Sequence, residues 1–293
     1  MLTILDRFDY LFDSARRFNE PVVCPYCKNK NAQLIDRKYV VARLFECDHC
    51  HLYFRHPVDS VEHNKKFYQT NYVESDSFTT TMPKKEELDE LRDNAFNVSK
   101  DRSAERYIGL FSALYDNVRQ LKIVDYGTSW GYLSYQFKQA GMDTQSFEIS
   151  VPRARFGNEH LDLQIKTDEK ELLGGNDIFF SSHVIEHVPS ISHMIELAKS
   201  LLKPDGLFIA ICPNGSRDFR KVNEHAFHLG WGKVHPNYLN SDFYQHVFAS
   251  QPYYLASNPF TYDEIKRWDK RTQWKSNLTG EELLVITRLN QNL

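Results

Sequence analysis

Three features of this 293-residue chain predict an α/β fold, with helices on both faces of a mainly parallel sheet and a small cysteine-built module ahead of it. From Lys122 onward short apolar runs alternate with helical patterns, as strands and crossover helices do. The first of those runs ends in a glycine turn, IVDYGTSWGYL, that opens a helix. Four of the five cysteines fall in two CxxC pairs separated by nineteen residues. At 41% hydrophobic and 26% charged residues the chain can build a core in water. A net charge of −3 leaves no chain-wide basic footprint for nucleic acid. No apolar stretch approaches the roughly 20 residues of a membrane span. Asp6, Arg7, Asp9 and Asp13 interrupt any secretory pattern, and the cysteine usage suits a reducing compartment, so a cytoplasmic location is expected.

Residues 1–19 place Ile4, Leu5, Phe8, Leu11, Phe12, Ala15 and Phe18 at helical spacing. Their balanced charges favour docking on the protein's own body or on a second copy, a homodimer, over a lipid surface. Residues 20–60 contain CPYC and CDHC. Each CxxC bends the backbone into a knuckle that aims two sulfurs at one point, and two knuckles complete a tetrahedron around zinc. The intervening AQLIDRKYVVARLFE alternates as a hairpin does, which predicts a zinc ribbon with Cys24, Cys27, Cys47 and Cys50 as ligands of a saturated, structural ion. Residues 20–66 carry eight Lys/Arg against six Asp/Glu, thin for phosphate binding. Residues 61–120 read as a linker, marked by the polar SDSFTTTMP, and a helical lid. That lid has one helix opening at Pro83 and a second with Ala104, Ile108, Phe111, Leu114 and Tyr115 on one face. Residues 121–293 form the main domain, with strands expected at 122–126, 144–149, 163–167, 176–181, 207–212 and 281–289.

The glycine turn combines Asp125, Gly127, Thr128, Ser129, Trp130 and Gly131 with a helix burying Leu133 and Phe137. Twenty-one positions past Gly127, Glu148 can accept hydrogen bonds from both hydroxyls of a ribose. A dinucleotide fingerprint would need GxGxxG, and positions 129 and 132 are serine and tyrosine. The GxxxG spacing, the acid two residues before it, and the later NDIFFSSHVIEHVPS and LLKPDGLFIAICPN together resemble the class I S-adenosylmethionine-dependent methyltransferases across roughly residues 100–293. The resemblance implies a Rossmann-like seven-stranded sheet and S-adenosylmethionine as cofactor. It also implies that residues 125–131 wrap the methionine part, Glu148 binds the ribose and Asp168 lies by the adenine. Ser129 departs from the family's commoner middle glycine. Ser182 and His183, after the fourth strand, are expected near the transferred methyl.

His183, Glu186 and His187 have i, i+3, i+4 spacing, which on a helical turn puts them on one face. Three roles are open to that face: a divalent metal site, a general base, or a brace for the pocket. Methyltransferases of ubiquinone biosynthesis and of small-RNA 3′ ends have a similar E-x-x-E-H stretch that holds a metal; here His183 replaces its first glutamate. A second cluster, His225, His228 and His235, follows the fifth strand, and a histidine before a phrase like PNYL borders the acceptor in related enzymes, which makes His235 a second candidate base. Tyr126 and Trp130 are candidates for stacking on the cofactor, with core packing as the alternative. The stretch KRWDKRTQWK interleaves five basic residues with two tryptophans and reads as a solvated excursion between strands, with contact to phosphates or stacking on sugar rings or bases as the alternative. The ribbon followed by YFRHPVD and KKFYQTNY resembles the front end of bacterial methyltransferases from surface-polysaccharide and sugar-modifying clusters. That implies a small-molecule or glycan acceptor and O-methylation, with RNA methylation or a non-catalytic binding module as alternatives.

Overall fold

The computed structural model describes residues 11–12, 14–58, 81–96 and 101–289. Most of the expected N-terminal helix, most of the expected linker at 75–83, and the KKFYQTNY segment lie outside the described residues. Eleven strands are described there, in two sheets.

The smaller sheet is built on the cysteine module. β1 (Ala32–Lys38), β2 (Ala42–Cys47) and β3 (Tyr53–His56) form an antiparallel meander. The fourth strand, β8 (Asn237–Tyr238), comes from the main domain and pairs with β3 through Tyr53↔Tyr238 and Phe54↔Asn237. The two knuckles share one geometry. In each, the first cysteine's N–H reaches a carbonyl five residues on, Asn29 or Leu52, at 2.9 and 3.0 Å. Lys28 and His51 turn each knuckle with φ of 62° and 61°.

The larger sheet is the seven-stranded one, in the order β10–β9–β11–β7–β6–β4–β5. Its members are β4 (Lys122–Tyr126), β5 (Asp143–Phe147), β6 (Asn176–Ser182), β7 (Leu202–Pro213), β9 (Tyr253–Ser257), β10 (Gln273–Lys275) and β11 (Glu282–Arg288). β11 runs antiparallel between β7 and β9. Alternation splits each central strand between two cores. Val124, Phe179, Phe208 and Val285 face α5 (Ile191–Leu201) and α8 (Ser241–Val247). Ile123, Phe180, Ile209 and Ile286 face α2 (Glu105–Leu114), α3 (Tyr132–Gln139) and α9 (Tyr262–Arg267). Burying a side chain such as Phe180 stabilises the fold by about 2–3 kcal/mol.

One expected strand is absent as such. Residues 163–167 touch the sheet only through a single parallel bridge, Phe147↔Lys166. Asn158, on α4 (Val151–His160), holds this segment by its other edge: its side chain accepts from Ile165 N at 2.7 Å and donates to Ile165 O at 3.3 Å, while the N and O of Lys166 serve the bridge to β5. β9 and β10 were not anticipated and complete the count of seven. The KRWDKRTQWK stretch is anchored rather than free: Trp268 is buried against Tyr254 and Lys270 donates to Leu114 O. Among the described residues no helix is long and apolar enough to cross a membrane.

Candidate active site

The chain runs from β4 outward to β5, then crosses back to place β6 on the other side of β4. At such a switch point the strand ends leave a crevice for a ligand. The glycine turn after β4 and SSHVIEHV after β6 both lie there, and they touch. Gly127 has φ +83°, and a Cβ on it would come within 2.3 Å of Val184 Cγ2. Gly131 has φ +88° and would meet Leu163 at 2.4 Å. Glycine is therefore required at both positions on conformation and on space. Ser129, where a third glycine was the commoner choice, adopts φ +57°, and its hydroxyl accepts from Arg153 Nη1 at 3.0 Å.

Two buried carboxylates brace this turn. Asp125 Oδ2 accepts from Thr128 Oγ1 at 2.7 Å and from Ser134 Oγ at 2.6 Å. Burial pushes its pKa up to about 6 against those two bonds. Glu148, just past β5, accepts from Ser129 N at 2.9 Å and Ser150 N at 2.8 Å, one on each oxygen. Burial raises its pKa, opposed by those amides and the Arg153 charge. Each Glu148 oxygen keeps a second lone pair, which suits paired ribose hydroxyls. A turn of this geometry, with a carboxylate at the next strand's end, fits an adenosine-bearing cofactor.

Other expected contacts are placed differently. Trp130 is fully buried among Phe96, Tyr132 and Phe156. Tyr126 stacks on Phe147 and donates to Glu169 at 2.5 Å. Both rings pack in the core, the second of the two alternatives the sequence left open. Asp168 is exposed and caps the 3-10 turn Glu169–Glu171 by accepting from Lys170 N at 3.0 Å.

After β6, His183 leaves the strand with φ +55° and residues 185–187 make a single turn. Glu186 sits between the histidines, 3.5 Å from His183 Nδ1 and 3.7 Å from His187 Nε2. It is fully buried, and neither carboxylate oxygen accepts a hydrogen bond. Burial would raise its pKa, yet the surrounding imidazoles of His187, His183 and His235 hold it at about 2. His183 faces a second carboxylate, Glu282 Oε1 at 2.7 Å, at the start of β11. Burial works to lower its pKa, but Glu186 and Glu282 together raise it to about 10. Glu282 is held in turn by Arg106 Nη1 at 2.7 Å, and Tyr107 OH lies 2.9 Å from Ser182 Oγ. Arg106, Tyr107 and Glu282 were not anticipated; nothing in their local sequence marks them, because only the fold brings α2 and β11 here.

The second histidine cluster divides. His225 is exposed, and His228 Nδ1 pairs with Asp36 of the ribbon at 2.8 Å. His235 alone joins the site, its ring centroid 4.8 Å from that of His187. Burial and the neighbouring His187 push its pKa down to about 4. The ribbon braces this end of the crevice. Asn237, paired with β3, donates from its backbone to Glu186 O at 3.2 Å and from its side chain to Val188 O at 2.9 Å.

The fold and the glycine turn define an α/β protein with a crevice at the strand ends whose shape fits a nucleoside. A family model described as a methyltransferase domain matches residues 86–255, more than half of the chain, and the chain belongs to that family. It is an S-adenosylmethionine-dependent methyltransferase. A search of curated proteins found no match. Among solved structures the chain is similar to the plantazolicin methyltransferase BpumL in complex with SAH, at 13% identity and a TM-score of 0.46, covering 78% of this chain and 98% of that one. It is also similar to magnesium protoporphyrin IX methyltransferase (ChlM) from Synechocystis PCC 6803 with bound SAH, at 13% identity and a TM-score of 0.47, covering 78% and 99%.

Proposed function

We propose that this methyltransferase O-methylates a hydroxyl of a sugar or glycan precursor, the proton leaving at the cluster of Glu186, His187 and His235. The observation that carries the reading is the convergence of one buried carboxylate and two imidazoles just past β6, next to the glycine turn. S-adenosylmethionine supplies a methyl group already activated by its sulfonium charge, so alignment provides most of the rate. We assign residues 125–131 to the methionine end, Glu148 to the ribose and Asp168 to the adenine side. Ser182 borders the reacting methyl. A hydroxyl acceptor must also lose a proton, and a group placed to take it contributes about 10²–10⁴-fold. His183 has a carboxylate at each ring nitrogen, so we assign it to orienting the acceptor rather than to deprotonation.

The ribbon supports a neutral acceptor over RNA. Its Lys38 donates to Leu229 O and lies over the Trp231 ring, Arg43 donates to Phe18 O, and Arg55 is buried. Those cations are spent on internal contacts, and a basic stripe is what phosphate binding would need. We assign one structural zinc to Cys24, Cys27, Cys47 and Cys50. Sulfur pairs at 3.6 and 3.4 Å lie close to the tetrahedral edge of about 3.8 Å expected for Zn–S bonds of about 2.3 Å.

The test is methyl transfer from labelled cofactor to pools of sugars, nucleotide-sugars and RNA. Label in a sugar or nucleotide-sugar is expected, and label in RNA alone overturns the acceptor. His235→Ala and His187→Ala should each lower turnover about 10²-fold while cofactor affinity stays within about twofold. Normal turnover in both removes the cluster from the reaction.

A further inference from the structure

We propose that Glu186, His187 and His235 form a binding site for one divalent first-row transition metal ion. Each offers one ligand atom, and these lie within 4.8 Å of one another. The trio differs from the expected His183, Glu186 and His187, because His183 is turned to Glu282 and His235 takes its place.

The tautomers carry the argument. His187 Nδ1 donates to Val234 O, and His235 Nδ1 donates to Gly230 O at 2.8 Å. Each ring therefore turns Nε2 inward, and a backbone carbonyl on the other nitrogen is the usual support of a metal-bound imidazole. Glu186, fully buried and accepting no hydrogen bond, lacks the donors that a buried carboxylate requires. Glu186 Oε1 lies 3.7 Å from His187 Nε2 and the His187 and His235 ring centroids are 4.8 Å apart, so a carboxylate oxygen and two ring nitrogens face one point that a single cation can fill.

Ligand bonds of about 2.1 Å need donor atoms about 3–3.4 Å apart, so the side chains would close by about 1 Å. Asn237 ties the two ligand-bearing loops through Glu186 O and Val188 O, which limits how far they can part. Two imidazoles and one carboxylate suit manganese, iron, cobalt, nickel or zinc better than magnesium or calcium. Three protein ligands leave open positions, unlike the four-thiolate cluster.

This deepens the O-methylation reading and rests on it only for its chemical use. With the three side chains bound to the ion, none of them takes the proton: a hydroxyl at an open position ionises more readily and its proton leaves to solvent. The new O–C bond forms as the S–C bond breaks, and the thioether departs with that electron pair.

The experiment titrates the full chain, its cysteine cluster loaded with zinc, with cobalt(II), reading visible absorption and bound metal after desalting. One cobalt beyond the zinc is expected, with d–d bands and no thiolate charge-transfer band. Glu186→Gln and His235→Ala should each weaken it about 10²-fold while retaining cofactor binding as the control for folding. No second metal in the wild type, or equal uptake in both variants, overturns the site. Sugar methylation that persists without a second metal also overturns it and leaves the O-methylation reading standing. Bound cobalt with no methylated sugar does the reverse.

Discussion

The two halves of the crevice satisfy their buried charges in opposite ways. On the cofactor side Asp125 holds two hydroxyl donors and Glu148 two backbone amides. On the acceptor side Glu186 accepts no hydrogen bond and is surrounded by imidazoles. The first half is complete before any ligand arrives, and its groups come from one stretch, residues 125–153. The second draws on α2, the turn after β6, the loop before β8 and the start of β11, with the ribbon as a brace. Satisfied groups fix geometry, whereas an unsatisfied buried charge marks where a ligand or ion is awaited.

The sharpest way to break this comparison is Glu148→Ala. Hydrogen bonds to a charged acceptor contribute about 1.5–3 kcal/mol each, so two ribose hydroxyls lost together cost about 4 kcal/mol, or about 10³-fold in cofactor affinity. The Ser129 and Ser150 amides also lose their acceptor, which loosens the turn. Calorimetric titration with S-adenosylmethionine reads the effect. A loss below tenfold would detach Glu148 from the ribose.

Asp125→Asn tests the other satisfied carboxylate through pH. Its folded pKa is about 6 against 3.8 in its ordinary state, so the native chain holds this proton more tightly than the unfolded one. The resulting stability is fully present below about pH 3 and is lost as pH rises through about 6 to about 7, a difference of about 3 kcal/mol. The Asn variant lacks that term. Relative to wild type it should gain about 2 kcal/mol between pH 4 and pH 6 in urea denaturation. A parallel pH course would show that Asp125 is not strained by its burial.

Legibility in the sequence follows the same division. Both knuckles were readable because each CxxC is local, and the glycine turn because strand, turn and helix adjoin. Glu148 was readable as the polar end of an apolar run. At 163–167 the difference is one of extent: only Lys166 bridges β5, through Ser146 O and Glu148 N, while Asn158 holds the neighbouring Ile165. β9 was missed because YYLAS is short and lacks alternation. On the acceptor side His235 stood out as a histidine, but its partners did not. The turn carrying Glu186 and the carbonyls of Gly230 and Val234 meet it only in three dimensions. Arg106 and Glu282, 176 positions apart, had no sequence signal at all.

The ribbon should matter to one half of the crevice and not the other. β3 pairs with β8, and Asn237 of that seam reaches Glu186 O and Val188 O. Neither Asp125 nor Glu148 has a hydrogen-bond partner among the ribbon residues described. Cys50→Ser weakens one knuckle, while Leu52 and Phe54 remain packed in the core shared with Phe243. The seam then loosens without parting. Turnover should fall about tenfold, or about 1.4 kcal/mol, with cofactor affinity within about twofold of wild type. An equal loss of cofactor affinity would show that the ribbon supports both halves. Unchanged turnover would show that the β3–β8 seam holds Glu186 and His235 in place without the cysteine cluster.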